Sequence, residues 1–448
     1  MRPLTLQQIA AYTGGKAIGE GIVTSVEIDS RGVTAGALFV ALPGTKVDGH
    51  KFIKDVLAQG GFALVKEGSH DGPGVVRVPD PLLGLQELAR SYLAEFSIPV
   101  VAITGSNGKT STKDMITQVL STKYSVHATK GNFNNEIGVP LTVLGLEDHH
   151  EVLVVEMGMR GLGQIRRLTE ICPPAYGIIT NIGPVHLELL GGMGNIAQAK
   201  GELLEAMDSR GVAVLNGDDP SVRGQARSFR GRVVYYGLDV ANDVVGRGIS
   251  RDVEGRPKFT IQSGQQEVQV RLALPGVHNV WNASAALALG LQFDIDLAQG
   301  AQALAELASS AMRLEVQRTP QGVIVVNDSY NASPASMEAA LDTLGHMYCS
   351  GKRVAILGDM LELGDIAEQA HIEIGRHAGS CAKHLVFIGE YASFMQEGAG
   401  RGVIYGSVDE FLASHAFELE GGDLVLVKAS RGLHFERIVE ELLKGGDK

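Results

Sequence analysis

Residues Val100–Leu120 read VVAITGSNGKTSTKDMITQVL, an apolar run that breaks on four small residues and reopens as a helix-forming segment. The opening VVAI lacks polar alternation, as in a strand covered on both faces of a parallel sheet. Gly105, Ser106, Asn107 and Gly108 then form a turn whose glycines let amides point inward around an anion, and Lys109, Thr110 and Ser111 open the helix. A helix N-terminus carries partial positive charge, Lys109 adds a full one, and the Thr110 hydroxyl is a hard oxygen suited to Mg2+. The segment predicts a phosphate-binding strand-loop-helix. It departs from the strict phosphate-loop spacing, which wants a glycine where Ile103 stands, so only the GxxGKT core matches. The rival reading of these residues is a plain strand-turn-helix with an incidental lysine.

Working outward, the run VLVVE ends in Glu156, 47 residues beyond Lys109. An acid at the carboxyl end of a buried strand stands where a cation beside the loop would want a carboxylate, although a solvent-facing acid reads the same way. Apolar runs at Val152–Val155, Ile178–Ile179 and Val212–Leu215 alternate with helical patterns, which predicts a mainly parallel sheet covered on both faces. Before it, short β-rich runs (Val23–Ile28, Ala37–Ala41, Phe62–Val65, Val75–Val78) and the helical Leu82–Phe96 form a small α/β unit that ends near residue 97. Beyond it, the Ala-rich Ala283–Ala311 reads as two helices broken near Phe293–Asp296. After Arg313 the alternation begins afresh, with strands at Val323–Asn327, Val354–Leu357, Leu385–Ile388 and Leu424–Val427 and helices at Ala335–Leu344 and Phe435–Leu443, a doubly wound unit. The expected fold class is therefore α/β in three domains, 1–97, 98–311 and 312–448.

Composition narrows the function. The chain has 448 residues, enough for about three domains. Hydrophobic residues at 44% against 20% charged exclude disorder as the main state. Its net charge of −12 opposes generic binding to nucleic acid or anionic membranes, and a single Trp argues against a base-stacking platform. An anionic ligand must then find a local basic pocket. Three scattered cysteines (Cys172, Cys349, Cys381) make neither a disulfide framework nor a zinc motif, and fit a reducing compartment. The N-terminus lacks a signal-peptide core, and the long uncharged stretch Ala273–Phe293 carries Pro275, His278, Asn279 and Asn282, so it reads as a loop and a buried helix rather than a membrane span. A cytoplasmic protein without membrane insertion is expected, and with no sustained heptads, a monomer.

Further motifs occur in a fixed order: GNFNNEIGVPLT (Gly131–Thr142), EMGMR (Glu156–Arg160), NIGPVHLE (Asn181–Glu188), NIAQAKGEL (Asn195–Leu203), NGDDP (Asn216–Pro220), GVHNVWNASAA (Gly276–Ala286), Arg313 and NDSYNASPASMEAAL (Asn327–Leu341). Together with TGSNGKTSTK they resemble the Mur ligase family, ATP-dependent amide-forming enzymes of peptidoglycan precursor synthesis, over nearly the whole chain. The resemblance implies a small N-terminal uridine-nucleotide domain, carrying IDSRGVTAGALFVALPGTKVDGHKF (Ile28–Phe52), a central ATPase domain and a Rossmann-like C-terminal ligase domain. Within the family, EMGMR, DSYNASPASMEAAL and GDMLELG (Gly358–Gly364) are most similar to the member that joins D-alanyl-D-alanine to UDP-N-acetylmuramoyl-tripeptide, and the DNPR motif of the preceding ligase is absent.

The chemistry so implied is attack of a substrate carboxylate on the ATP γ-phosphate, giving an acyl phosphate that the dipeptide amine converts to an amide. Two anions must approach, so Lys109, Arg313 and Mg2+ are the expected neutralisers. The resemblance assigns the metal to Thr110, Glu156, His186 and Lys200, the last as a carbamate formed with CO2; without it, His186 reads as an ordinary histidine and Lys200 as a solvated helix lysine. It assigns adenine and ribose to Asn279, Asn282, Asp328, Tyr330 and Asn331, residues that also suit loop and helix-start chemistry. Uridine-linked peptide and dipeptide are expected at Ser30, Arg31, Lys46, Asp48, His50, Asn134, Asn135, Asp359, Glu362, Leu363, Lys428, Ser430 and Arg431, with Ala429 replacing the family's usual glycine. Because Lys109 and Arg313 fall in different domains, a hinge is expected near Ser309–Arg313. Competing readings are a phosphate-loop NTPase coupled to conformational work, which leaves the outer domains unexplained, a folylpolyglutamate-type ligase, which lacks the DSR-type N-terminal domain, and a catalytically silent nucleotide binder.

Overall fold

The computed structural model describes residues 1–44, 47–308, 311–414 and 418–444. Three sheets organise the chain, and each is built from one stretch of sequence. The first has five strands in the spatial order Lys16–Ile18, Val75–Val78, Phe62–Lys66, Ala37–Val40, Ser25–Glu27, parallel except for Lys16–Ile18. The expected single strand Val23–Ile28 is divided: Ile22–Val23 pairs with Leu4–Thr5 in a separate ribbon, and Ser25–Glu27 joins the sheet. Thr24 sits at the break, where its amide bonds Gly36 O.

The central sheet has nine strands: β1 (Val100–Thr104), β2 (Val126–Ala128), β3 (Val152–Glu156), β4 (Tyr176–Ile179), β5 (Val212–Asn216), β6 (Arg232–Gly237), β7 (Val244–Arg251), β8 (Pro257–Ser263) and β9 (Gln266–Arg271). Their spatial order is β9-β8-β7-β6-β5-β4-β1-β3-β2. Pairing is parallel from β2 to β7 and antiparallel through β8 and β9. All five residues of β1 are buried and all five of β3, which is why both read as unbroken apolar runs. The β7-β8-β9 meander escaped the sequence reading. Its outer strand QEVQVR buries only Val270 fully, so a half-exposed edge leaves too few apolar residues to stand out. Helices α1 (Lys109–Leu120), α2 (Met193–Glu205) and α3 (Asn279–Gln292) cover the sheet. The Ala-rich stretch does break where expected, at Asp294 with φ 54° and at Asp296, whose carboxylate caps the next helix.

The third sheet comprises β10 (Glu315–Arg318), β11 (Ile324–Asp328), β12 (Arg353–Gly358), β13 (His384–Ile388), β14 (Val403–Tyr405) and β15 (Leu424–Lys428), in the order β10-β11-β15-β12-β13-β14. Only β10 is antiparallel. Helices α4 (Pro334–His346) and α5 (Ala367–Cys381) pack on one face, and separate apolar clusters fill the two faces.

The two interfaces differ in kind. The N-terminal unit shares one continuous apolar cluster with the central unit, in which Leu85, Leu88 and Tyr92 meet Val139, Val143 and Leu146, and the Tyr92 hydroxyl donates to Leu146 O at 2.7 Å. The C-terminal unit meets the central one through polar contacts, including Ser333 Oγ to Asn107 Oδ1 at 2.8 Å and Arg160 to Glu362 at 3.4 Å. An interface with a shared apolar core holds two units together more firmly than one made through polar contacts. Among the described residues no helix is long and apolar enough to cross a membrane.

Candidate active site

Strand β1 lies between β4 and β3, and the chain leaves its carboxyl end at Gly105, the crevice where strand order reverses in a doubly wound sheet. Gly108 has φ 77° and ψ 0°, and a Cβ there would stand 2.7 Å from Asn282 Oδ1, so glycine is required both by conformation and by the approach of α3. The loop is pinned from β4. Thr180 Oγ1 donates to Asn107 O at 2.6 Å, Asn181 Oδ1 accepts from Asn107 N at 2.8 Å, and Ser106 Oγ bonds Gly183 O at 2.9 Å. Lys109 folds back so that its ammonium donates to Gly105 O at 2.8 Å and Ser106 O at 3.2 Å. Burial lowers its pKa, with Glu156 opposing and Arg313 adding to the effect.

A cavity of about 840 Å³ opens over this loop, lined by residues of the central and C-terminal units. Gly105 to Ser111 line it, with Asn134, Asn135, Glu156, His186, Lys200, Asn279 and Asn282, and from the C-terminal unit Arg313, Asp328, Tyr330, Asn331 and Lys428. Glu156 is held at both oxygens: Thr110 Oγ1 donates to Oε2 and Asn134 Nδ2 to Oε1, each at 2.7 Å. Asn134 thus orients the acid, while Asn135 caps the helix Gly138–Leu144 through Gly138 N at 2.9 Å. A hydroxyl beside an oriented, 2% exposed carboxylate is a hard-oxygen pair that fits Mg2+.

Lys200 is 2% exposed and has no hydrogen-bond partner among the described residues. Burial, reinforced by Lys109, lowers its pKa well below the ordinary lysine value. His186 adopts φ 54°, unusual for a residue with a side chain, and its Nδ1 meets the Glu362 carboxylate from the C-terminal unit. Burial lowers its pKa, and the bond and charge of Glu362 oppose that.

Asn279 and Asn282 are spent largely on each other and on packing. Thr112 Oγ1 donates to Asn282 Oδ1 at 3.1 Å, Asn282 Nδ2 to Asn279 Oδ1 at 2.9 Å, and Asn279 Nδ2 to Pro275 O at 2.7 Å, locking α3 against α1. Across the cavity Lys428 Nζ bonds Asp328 Oδ2 at 2.6 Å and Asn331 O at 2.9 Å. Asp328 Oδ1 accepts from Leu314 N at 3.1 Å, which helps hold Met312 (φ 61°) and Leu314 (φ 47°) in left-handed backbone on either side of Arg313. The Arg313 guanidinium lies 4.1 Å above the Tyr330 ring. Ser309 and Ser310, at the expected hinge, lie outside the described residues.

Several of the residues expected to meet substrate lie outside this cavity. Asp359 does not face the cavity. Its carboxylate accepts from Glu390 N at 2.8 Å and Tyr391 N at 3.0 Å, and burial raises its pKa. Leu363 is 3% exposed within the C-terminal core. Ser430 Oγ accepts from Leu361 N at 3.0 Å, and Arg431 pairs with Glu436 at 3.3 Å. On the N-terminal unit, Arg31 is exposed and bidentate on Asp29 beside Ser30, and His50 Nδ1 lies 2.7 Å from Asp48, all outside the cavity. Lys46 lies outside the described residues. Missed by the sequence reading were Thr180, Asn181, Glu362 as the partner of His186, Ser333, His278 and Trp281, whose indole N–H donates to Asp218 at 2.7 Å. Asn181 and Ser333 sit inside motifs the sequence displayed, but only pairing across strands and domains gives them partners.

Comparisons with known proteins bear on the same regions. Residues 22–90 match the Mur ligase family catalytic domain, 103–290 the Mur ligase middle domain and 312–431 the Mur ligase glutamate ligase domain. The chain is 38% identical over 434 residues to the UDP-N-acetylmuramoyl-tripeptide--D-alanyl-D-alanine ligase of Bacillus subtilis, covering 94% of each chain. It superposes on a MurF crystal structure from Acinetobacter baumannii with TM-score 0.90 and 29% identity over 99% of each chain. It superposes on the MurF ligase of Thermotoga maritima in complex with ADP with TM-score 0.84 and 28% identity, covering 94% of this chain and 97% of that one.

Proposed function

We propose, from the premise that the chain belongs to the Mur ligase family, that it is the ATP-dependent ligase joining D-alanyl-D-alanine to UDP-N-acetylmuramoyl-tripeptide. The products are UDP-N-acetylmuramoyl-pentapeptide, ADP and phosphate, a step of peptidoglycan precursor synthesis. The observation that carries the reading is one cavity that gathers the phosphate loop with the half-buried Lys109, an oriented hydroxyl-carboxylate pair, the buried Lys200 and Arg313.

ATP and Mg2+ serve this family, and the residues present suit both. Thr110, Glu156 and His186 would hold Mg2+, which would supply positive charge to the phosphates. The loop amides and the amino end of α1 receive the β- and γ-phosphates, and Lys109, once turned from its carbonyl partners, adds a cation. Arg313 approaches from the C-terminal unit. Together these groups offset the repulsion between the tripeptide carboxylate and the triphosphate, so that the carboxylate oxygen attacks phosphorus and ADP departs. The dipeptide amine then attacks the acyl carbon and phosphate leaves. Asp328, with Lys428 fixing its orientation, suits a ribose hydroxyl, and the Tyr330 face suits the base.

Lys200 is proposed to be carbamylated. The buried amine, in its unprotonated form, adds to CO2, forming an N–C bond with loss of a proton, and the resulting carboxylate makes the site anionic beside the metal position. The sheets support domain boundaries at 97/98 and 311/312, since no sheet draws strands from both sides of either point. The 311–314 turn, with its left-handed residues, is the proposed hinge. Three free cysteines and the lack of a membrane-spanning helix among the described residues support a cytoplasmic setting. Phosphate release should require uridine-linked tripeptide and dipeptide together; ATP hydrolysis indifferent to both would defeat the assignment.

A further inference from the structure

We propose that the C-terminal unit carries a second, noncatalytic cation site, formed by Asp342, His377 and Cys381, that takes a borderline-soft divalent ion of the Zn2+ class. Asp342 lies on α4 and the other two on α5, so the site spans two packed helices. His377 and Cys381 stand four residues apart, which puts both side chains on one face of α5. One ligand atom from each of the three residues lies within 4.8 Å of the other two, and His377 Nε2 is 2.8 Å from Asp342 Oδ1. Ligand bonds of about 2.0 to 2.3 Å place the atoms of a tetrahedral zinc site roughly 3.3 to 3.8 Å apart, so each need move by only about 1 Å. Among the described residues this is the one set of three histidine, cysteine or acidic side chains that converges in this way.

The ligand chemistry selects the ion. Sulfur and imidazole disfavour Mg2+ and Ca2+ and favour Zn2+ or Co2+, and helical backbone supplies the ligands without a loop to order. Asp342 is exposed, which leaves the fourth position to water. A nucleophilic role is disfavoured. Burial and Asp342 push the Cys381 thiol up, against its bond with Ser380. Binding would release the thiol proton and replace the His377–Asp342 hydrogen bond with two metal bonds. Ala339 is the last α4 residue to line the cavity, three residues or about 4.5 Å along the axis before Asp342, and none of Asp342, His377 and Cys381 lines it. Occupancy should therefore tie α4 to α5 without entering the catalytic cavity.

The experiment titrates Co2+ into the full chain after chelator treatment and gel filtration. The expected result is a thiolate-to-cobalt charge-transfer band that saturates at one ion per chain and is displaced by Zn2+. Cys381→Ser should abolish the band, His377→Gln and Asp342→Asn should weaken binding at least tenfold, and Cys349→Ser should change neither. Ions entering the catalytic cavity meet no cysteine there and give no such band. Ligase activity and melting temperature of the metal-free Cys381→Ser protein should match the parent, showing that the variant is folded. Absence of a thiolate band in the parent, or its persistence in Cys381→Ser, would overturn the site whatever the fate of the ligase assignment.

Discussion

Replacing Glu362 by Gln isolates the contact that joins the two catalytic units. Glu362 reaches from the C-terminal unit to His186 Nδ1 with one oxygen and to Arg160 at 3.4 Å with the other, and its carbonyl accepts from Glu188 N at 3.4 Å. Gln keeps the length and one acceptor but loses the charge. The Arg160 pair is worth at most about 1 kcal/mol, because the arginine is 70% exposed and solvent screens it. Removing charge from the half-buried hydrogen bond to His186 costs about 1 kcal/mol more. The total, about 1 to 2 kcal/mol, is a shift of roughly 5- to 30-fold toward the open arrangement. The variant should lose that factor in kcat/KM for phosphate release. Small-angle scattering of the nucleotide-bound protein should show a larger radius of gyration than the parent. Melting temperature should barely move, since no apolar cluster includes Glu362. A variant with parental kinetics would refute the coupling, and one that is slow yet fully closed would show that Glu362 acts on the chemistry alone.

Four other outcomes follow from the same geometry. Lys109→Ala should lower kcat by at least about 10²- to 10³-fold, as for removal of one preorganised charge donor, with the melting temperature nearly unchanged; retained turnover would contradict its phosphate role. Lys200→Met should be nearly inactive yet more stable than the parent in CO2-free buffer at neutral pH. The folded pKa of Lys200 is depressed, so the unfolded chain binds more protons between that value and about 10.4, and the stability gap should close as pH rises through that window; a constant gap would exclude it. His278, lowered to about 4 chiefly by burial, should cost the parent about 1 to 3 kcal/mol as pH falls from about 6.5 toward 4. In His278→Gln, urea midpoints should lose that share of the acid slope. Finally, the chain has a single tryptophan and it lines the cavity, so ADP should change the Trp281 emission, and a silent titration would place the nucleotide elsewhere.

The sequence by itself determined the α/β class, the phosphate loop and most of the strands, because buried parallel strands such as Val152–Glu156 and glycine-led helix starts such as Gly108-Lys109 are written in consecutive residues. It also displayed Lys200 and His186 within family-like motifs. It left the half-exposed β7-β8-β9 meander unread, and it could not show that Asp359 ties down a backbone turn or that Leu363 packs in a core. The difference is one of range. Local order follows from neighbours along the chain, whereas the partner of His186, the isolation of Lys200 and the pairing of Asp328 with Lys428 come from residues up to 176 positions apart. Only the packing of three units decides which charges share the cavity, and that sharing sets their chemistry.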